Sequence, residues 1–289
     1  LCVWSIYVDR VAYNGKGRAS RAFRNAWWWQ SFRSYFPLSL RQEEEFDPSK
    51  RYIFVLHPHG ILGFSAWLTF AADSTGFSKK NKDLDIAIAT VNVNFLLPFW
   101  RDIVMAAGFL DASFKSLTNA LRRNRSVTIV AGGAAEALDA HPGTYNIILN
   151  KRKGLVRLAL TTGTPLVPVF SFGENDLFYQ VPNPKGSLLR SLQEKALKVL
   201  KFSTPLIIGR GVFCRYGILP RAHPIQVVTG KPVPVQQIAE PSDEDIAKYQ
   251  QAYRTALEKL FSDHAERYYR QVLPEELRPA AIPKLHIVA

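Results

Sequence analysis

Five short runs rich in Val, Ile, Leu and Phe punctuate this chain, and amphipathic stretches fill the intervals between them. The runs are Arg51 to His57, Asp85 to Val91, Val127 to Ala131, Leu166 to Phe170 and Ile225 to Thr229. Each is short enough for a strand and too uniformly apolar for a strand wetted on one face. The intervals predict helices over Ile61 to Ala72, Phe99 to Gly108, Ser113 to Arg123, Gly154 to Thr162 and Ser187 to Lys201. A final helix opens at Ser242, which with Asp245 has the spacing of a capping box. Its residues Ile246, Tyr249, Tyr253, Leu257, Phe261 and His264 fall on one face. Strands alternating with helices specify an α/β fold, a central mostly parallel sheet flanked by helices. With 289 residues and 47% hydrophobic content, one continuous domain over 41–289 can bury such a core.

Residues 1–40 read differently. Leu1 to Val8 is an apolar run too short to cross a bilayer. It stops at Asp9-Arg10, so it is expected to be the end of a membrane segment that starts upstream; a short strand fits its composition equally well. Arg10, Lys16, Arg18, Arg21, Arg24 and Arg33 then interleave with Trp27, Trp28, Trp29, Phe32, Tyr35 and Phe36. Rings with a polar tip beside cations suit the headgroup zone of a membrane, and a basic segment packed on the domain is the alternative. The segment Ser187 to Lys201 carries a similar mixture of apolar and cationic positions.

A formal charge of +13 calls for an anionic partner: a membrane surface, a phosphorylated ligand or a nucleic acid. Nucleic acid is disfavoured, because no zinc-knuckle spacing, helix-turn-helix signal or RNP-type run occurs. Cys2 and Cys214 provide no disulfide framework and are expected to be free thiols.

His57-Pro58-His59-Gly60 is the sharpest local signal. An imidazole at the end of a buried strand suits a general base, since its pKa lies near working pH. Gly60 is expected to open the next helix, whose first amides could meet developing negative charge. Gly132-Gly133-Ala134-Ala135-Glu136 follows another apolar run. Strand ends of an α/β sheet collect on one rim, which would bring Glu136 near the histidines. Lys151-Arg152-Lys153-Gly154 precedes the helix bearing Arg157. Cations at a helix start can hold phosphates, and a solvated charge run is the competing reading.

The chain lacks a G-x-S-x-G elbow, a P-loop and an H-E-x-x-H pair. A histidine base without an enzymic nucleophile fits direct attack of a substrate hydroxyl on an activated acyl group. Two rivals stand beside it. One is a metal-dependent hydrolase using His57 and His59 as ligands with Glu136 or His141, and the other is a non-catalytic lipid-binding module.

With these blocks in order, the chain resembles the type 2 diacylglycerol acyltransferase family, which also holds monoacylglycerol acyltransferases and wax-ester-forming relatives. The resemblance rests on Tyr35-Phe36-Pro37, on Tyr52-Ile53-Phe54 leading into the His57–Gly60 motif, and on Gly132 to Glu136. It continues through Arg152 to Leu160, Leu166 to Asp176, Gly209-Arg210-Gly211, Leu219-Pro220-Arg221, Pro224-Ile225 and Gly230-Lys231-Pro232. It implies a glycerolipid-acyltransferase-like domain at the endoplasmic reticulum membrane and lipid droplets. Such a domain would make triacylglycerol from diacylglycerol and acyl-CoA. It implies no metal and no cofactor beyond acyl-CoA as co-substrate, and an oligomer is compatible with it. By the same resemblance His59 is the catalytic base and His57 supports it; Glu136, in a block that the family assigns to its active site or substrate binding, is our own choice for a carboxylate that would orient the ring. Pro58, Gly60, Gly132, Gly133, Arg152, Lys153, Gly154, Arg157, Glu174 and Asn175 are expected to bind substrate. Two departures stand out. Only the last stretch of the family's hydrophobic hairpin is represented. Phe64 also occupies the place of the aspartate in the His-x-x-x-x-Asp motif of glycerol-phosphate acyltransferases.

Overall fold

A computed structural model describes residues 9–82, 84–150, 153–200 and 204–288. The expected end of a membrane segment, Leu1 to Val8, and the expected ligand Arg152 lie outside the described residues. The strands are β1 (Ser39–Gln42), β2 (Ile53–His57), β3 (Ile86–Thr90), β4 (Phe109–Asp111), β5 (Ser126–Val130), β6 (Tyr145–Ile148), β7 (Leu166–Phe172), β8 (Tyr179–Gln180), β9 (Ile207–Ile208), β10 (Gln226–Thr229) and β11 (Leu285–Val288). Seven of them form one sheet in the order β1-β10-β7-β2-β5-β3-β4. From β7 to β4 every neighbouring pair is parallel, whereas β10 meets β7 antiparallel and carries β1 parallel to itself. The sheet is therefore mostly parallel, with helices over both faces, as the alternation of runs predicts.

Strand β2 shows why its sequence is apolar at every position. Ile53 and Val55 enter one core layer, with Val127, Leu166 and the helices Lys153–Thr162 and Asp243–Arg267. Phe54 and Leu56 enter the opposite layer, with Ile86, Val167, Val227, Phe70 and Phe77. Both faces are dry, so no polar alternation survives. The parity also sends His57 to the first layer.

The final helix begins where its capping box places it. Ser242 Oγ accepts from the amide of Asp245 at 3.1 Å, and Asp245 Oδ2 accepts from the amide of Ser242 at 3.0 Å. Ile246, Tyr253, Leu257, Phe261 and His264 are buried along it.

Residues 9–38 pack onto the body of the domain. Arg101 is fully buried and donates to the Asp9 carbonyl at 2.8 Å. Arg125 donates to the Lys16 carbonyl at 2.6 Å. Arg24 donates to the Ala71 and Phe70 carbonyls at 2.7 Å each, and so ends the helical turn Trp67–Ala71. Arg33 reaches the Ser74 carbonyl, and Arg18 pairs with Asp9. Half the cations grouped with the tryptophans thus serve the fold, while Trp27, Trp28 and Phe32 remain exposed. Among the described residues, no helix is long and apolar enough to cross a membrane.

Candidate active site

Strands β7, β2 and β5 are neighbours and parallel, so their carboxyl ends share one edge of the sheet. His57 to Gly60 leaves β2 there, Gly132 to Glu136 follows β5, and Gly173 to Asp176 follows β7. Three segments far apart in sequence meet because the topology stacks their strands.

His57 is the last residue of β2 and fully buried. Its Nε2 lies 3.1 Å from the Tyr253 hydroxyl, which also donates to the Val55 carbonyl at 3.3 Å. With the hydroxyl proton on that carbonyl, Nε2 carries the ring proton and donates to the Tyr253 oxygen. Nδ1 is buried without a hydrogen-bond partner among the described residues. Burial pushes its pKa down to about 3, so the native ring is neutral. Below pH 6.5 the unfolded chain takes up a proton that the native ring refuses until about pH 3. Stability therefore falls with acid, by about 2 kcal/mol between pH 7 and pH 5 from this group. Urea unfolding at the two pH values should show that difference, reduced by the same amount in His57→Gln. Equal pH slopes in the two proteins would contradict it.

His59, two residues on, is half-buried. Its Nδ1 lies 3.1 Å from the Gly60 carbonyl, which can only accept. Nδ1 is therefore the protonated nitrogen of the neutral ring, and Nε2 carries the basic lone pair. Glu136 fixes this residue through the main chain. Its Oε1 accepts from the His59 amide at 2.6 Å, and its Oε2 accepts from the Ile148 amide at 2.9 Å. The described contacts thus join Glu136 to the His59 backbone and the Gly60 carbonyl to the His59 ring. Gly132, at φ +85°, makes room for that carboxylate: a Cβ there would stand 2.1 Å from Glu136 Oε2.

The start of the following helix corrects one expectation. The chain turns at Gly60, with φ +62°, and the helix begins at Phe64 rather than Ile61. Its first amides are already bound, because Glu174 accepts from Phe64 and Ser65 at 2.9 Å each. A carboxylate on those donors leaves them no capacity for an oxyanion. A Cβ on Gly60 would meet Glu174 Cγ at 2.6 Å, so the glycine is needed for close approach. Burial raises the Glu174 pKa against the pull of those hydrogen bonds.

Asn175 is buried and donates to the Thr144 carbonyl at 2.7 Å, tying the end of β7 to the start of β6. Lys153 and Gly154 open the helix Lys153–Thr162, and both are exposed, as is Arg157. Lys153 pairs with Asp243 at 3.1 Å. His141 binds Asn183, away from the arrangement a metal would need. Among the described residues, no group of three His, Cys, Asp or Glu side chains could hold a metal ion. Tyr253 escaped functional notice in the sequence. Its helical spacing marks it as buried, but no local signal links it to a histidine 196 residues away.

Comparison with known proteins bears on the chain as a whole. Residues 1–275 match the family model described as diacylglycerol acyltransferase. Diacylglycerol O-acyltransferase 2 of Dictyostelium discoideum is 43% identical over 265 residues, covering 91% of this chain and 80% of that protein. Bovine (Bos taurus) 2-acylglycerol O-acyltransferase 1 is 41% identical over 268 residues, covering 91% and 80%. Diacylglycerol O-acyltransferase 2A of Umbelopsis ramanniana is 39% identical over 278 residues, covering 94% and 78%. Among solved structures, the 1-acyl-sn-glycerophosphate acyltransferase of Thermotoga maritima overlays with a TM-score of 0.43 at 15% identity, over 86% of this chain and 77% of that one. That likeness is too distant to argue from.

Proposed function

The chain belongs to the diacylglycerol acyltransferase family, and from that membership we propose that it transfers a fatty acyl group from acyl-CoA to the free hydroxyl of diacylglycerol, releasing triacylglycerol and CoA. The observation that supports a histidine mechanism is the half-buried His59, with Nδ1 on the Gly60 carbonyl and its amide on Glu136. In this reading His59 Nε2 takes the proton from the acceptor hydroxyl as that oxygen attacks the thioester carbonyl. The C–O bond forms, the tetrahedral oxyanion collapses, the C–S bond breaks, and the imidazolium returns its proton to the CoA thiolate. No metal or cofactor takes part. His57 and Tyr253 hold the strand end from the dry side, and Glu136 and Glu174 hold the turn from either flank.

The acceptor is tested in cells that lack neutral-lipid synthesis and express the full-length parent protein. Triacylglycerol accumulation is expected. Diacylglycerol accumulation from monoacylglycerol would instead select the second reading, which the similarity to 2-acylglycerol O-acyltransferase 1 favours. Wax ester would select a fatty-alcohol acceptor.

The work is assigned to the endoplasmic reticulum membrane and lipid droplets, where a diacylglycerol acceptor resides. One face suits that surface. Trp29 packs on Trp67 at 6.0 Å, and Trp67 stacks on Trp100 at 6.1 Å. Around them Trp27 and Phe99 are each 77% exposed, with Trp28, Phe32, Leu97 and Trp100 also open. Phe99 adopts φ +62°, a conformation that costs a phenylalanine about 1–3 kcal/mol and here presents its ring outward. A large ring moved from water into lipid gains about 1.5–3 kcal/mol. Trp27→Ser/Phe99→Ser should therefore weaken vesicle sedimentation by about tenfold or more without lowering the melting temperature. Unchanged sedimentation would remove this face from the membrane.

A further inference from the structure

Next to the catalytic edge lies a basin of about 570 Å³ to which the mechanism above assigns no role. Tyr179, Arg210, Arg215, Tyr216 and Arg221 line it. Its position follows from the chain path: Glu174 caps the helix after the His57–Gly60 motif, and the segment runs on through Asp176 to Tyr179 on the basin wall.

The basin is built on fixed backbone. The amides and carbonyls of Gly209 and Gly217 pair at 2.7 and 3.1 Å, and those of Arg210 and Leu219 at 2.7 and 3.0 Å. This closes a hairpin that carries Arg215 and Tyr216 at its tip. Arg221 is tied down three ways. Its amide donates to the Leu177 carbonyl at 2.8 Å, its guanidinium donates to the Asp176 carbonyl at 3.3 Å, and the same group lies 4.3 Å from the centre of the Tyr179 ring. Arg215 lies 5.6 Å from the Tyr216 ring. Three guanidinium groups thus line one concavity, and among the described residues that line it none is acidic. Asp176, outside the lining, offsets Arg221 in part, and like charges gathered in one concavity still favour the entry of an anion.

We propose that this basin holds the phosphates of coenzyme A, a site that rests on acyl-CoA being the donor. Guanidinium forks match phosphate oxygens two at a time. The exposed face of Tyr216 offers a platform for a purine ring. Three spaced arginines fit a ligand with a diphosphate and a separate ribose phosphate better than one with a single phosphate. The same anion chemistry could come from a phospholipid headgroup, since Val212, Phe213 and Ile218 stand exposed on the same hairpin. The concavity and its place beside the catalytic edge favour the nucleotide.

The test titrates the purified full chain with CoA by calorimetry, beside the double variant Arg210→Gln/Arg215→Gln, whose replaced side chains are both exposed. CoA binding is expected to weaken about tenfold or more in the variant. The KM for acyl-CoA should rise in parallel while that for diacylglycerol holds within about twofold. 3′-Dephospho-CoA should bind the wild type more weakly than CoA and lose less in the variant. Equal CoA affinity in the two folded proteins overturns the proposal, as does a wild type that binds no CoA. Equal CoA affinity with reduced binding to phosphatidylserine vesicles also overturns it and gives the basin to a headgroup. If the variant loses CoA binding yet the wild type consumes no acyl-CoA with any glycerolipid acceptor, the basin stands and the acyl-transfer reading falls.

Discussion

Glu136→Ala is expected to lose stability and activity together. The carboxylate is 2% exposed and accepts from two amides, those of His59 and Ile148. Alanine leaves both part-buried donors without this acceptor, at up to about 1–3 kcal/mol each. It also empties the space that Gly132 keeps clear. The His59 main chain then loses its anchor, and a misplacement of about 1 Å at a reacting group can cost on the order of 100-fold in rate. Glu136→Gln should do little better, because one acceptor oxygen becomes an NH₂ group that faces an N–H donor. Gly132→Ala reaches the same end from the other side, driving a Cβ to 2.1 Å from Glu136 Oε2 at φ +85°. Urea unfolding and initial rates, measured on the same preparations, check both losses. A Glu136→Ala protein that unfolds like wild type and turns over at its rate would show that the anchor is dispensable.

Much of this was readable without coordinates, and the reasons are specific. Strand β2 was legible because a strand dry on both faces must be apolar throughout, and the final helix because Ser242 and Asp245 mark its start. Strands β1, β4, β6 and β11 left no such trace. At three or four residues they are too short for a period to register, and their pairing comes from neighbours distant in sequence. The cations near the tryptophans misled in part. Arg24 and Arg33 look like headgroup ligands in sequence, but they cap carbonyls in the fold, a use that depends on where Ala71 and Ser74 end up.

In the site, the residue types were legible and their partners were not. Glu136 could be named from its glycine-rich block and Glu174 from the family resemblance. That each would spend its carboxylate on backbone amides depends on the loop geometry at Gly60 and Gly132, which a one-dimensional pattern does not carry. The contact between His57 and Tyr253 is hidden for the same reason: burial is periodic along a helix, but the identity of the facing strand is not.

His59→Ala should lose activity alone. The side chain is half-buried, and its described hydrogen bond goes to the carbonyl of the next residue. Because the ring is only half-buried, its removal should cost far less stability than that of Glu136, and the melting temperature should stay close to wild type. A positioned general base contributes about 10²–10⁴-fold to rate. Loss of that order is expected with the KM for acyl-CoA little changed, because the ring acts on the acceptor proton rather than on the donor. The decisive measurement is CoA thiol release and triacylglycerol formation, followed together for wild type and His59→Ala at matched folded fractions with saturating oleoyl-CoA and diacylglycerol. One thiol per triacylglycerol in the wild type, and a fall of about 100-fold or more in both for the variant, is the predicted result. A folded His59→Ala protein that releases thiol and forms triacylglycerol near the wild-type rate would contradict the account.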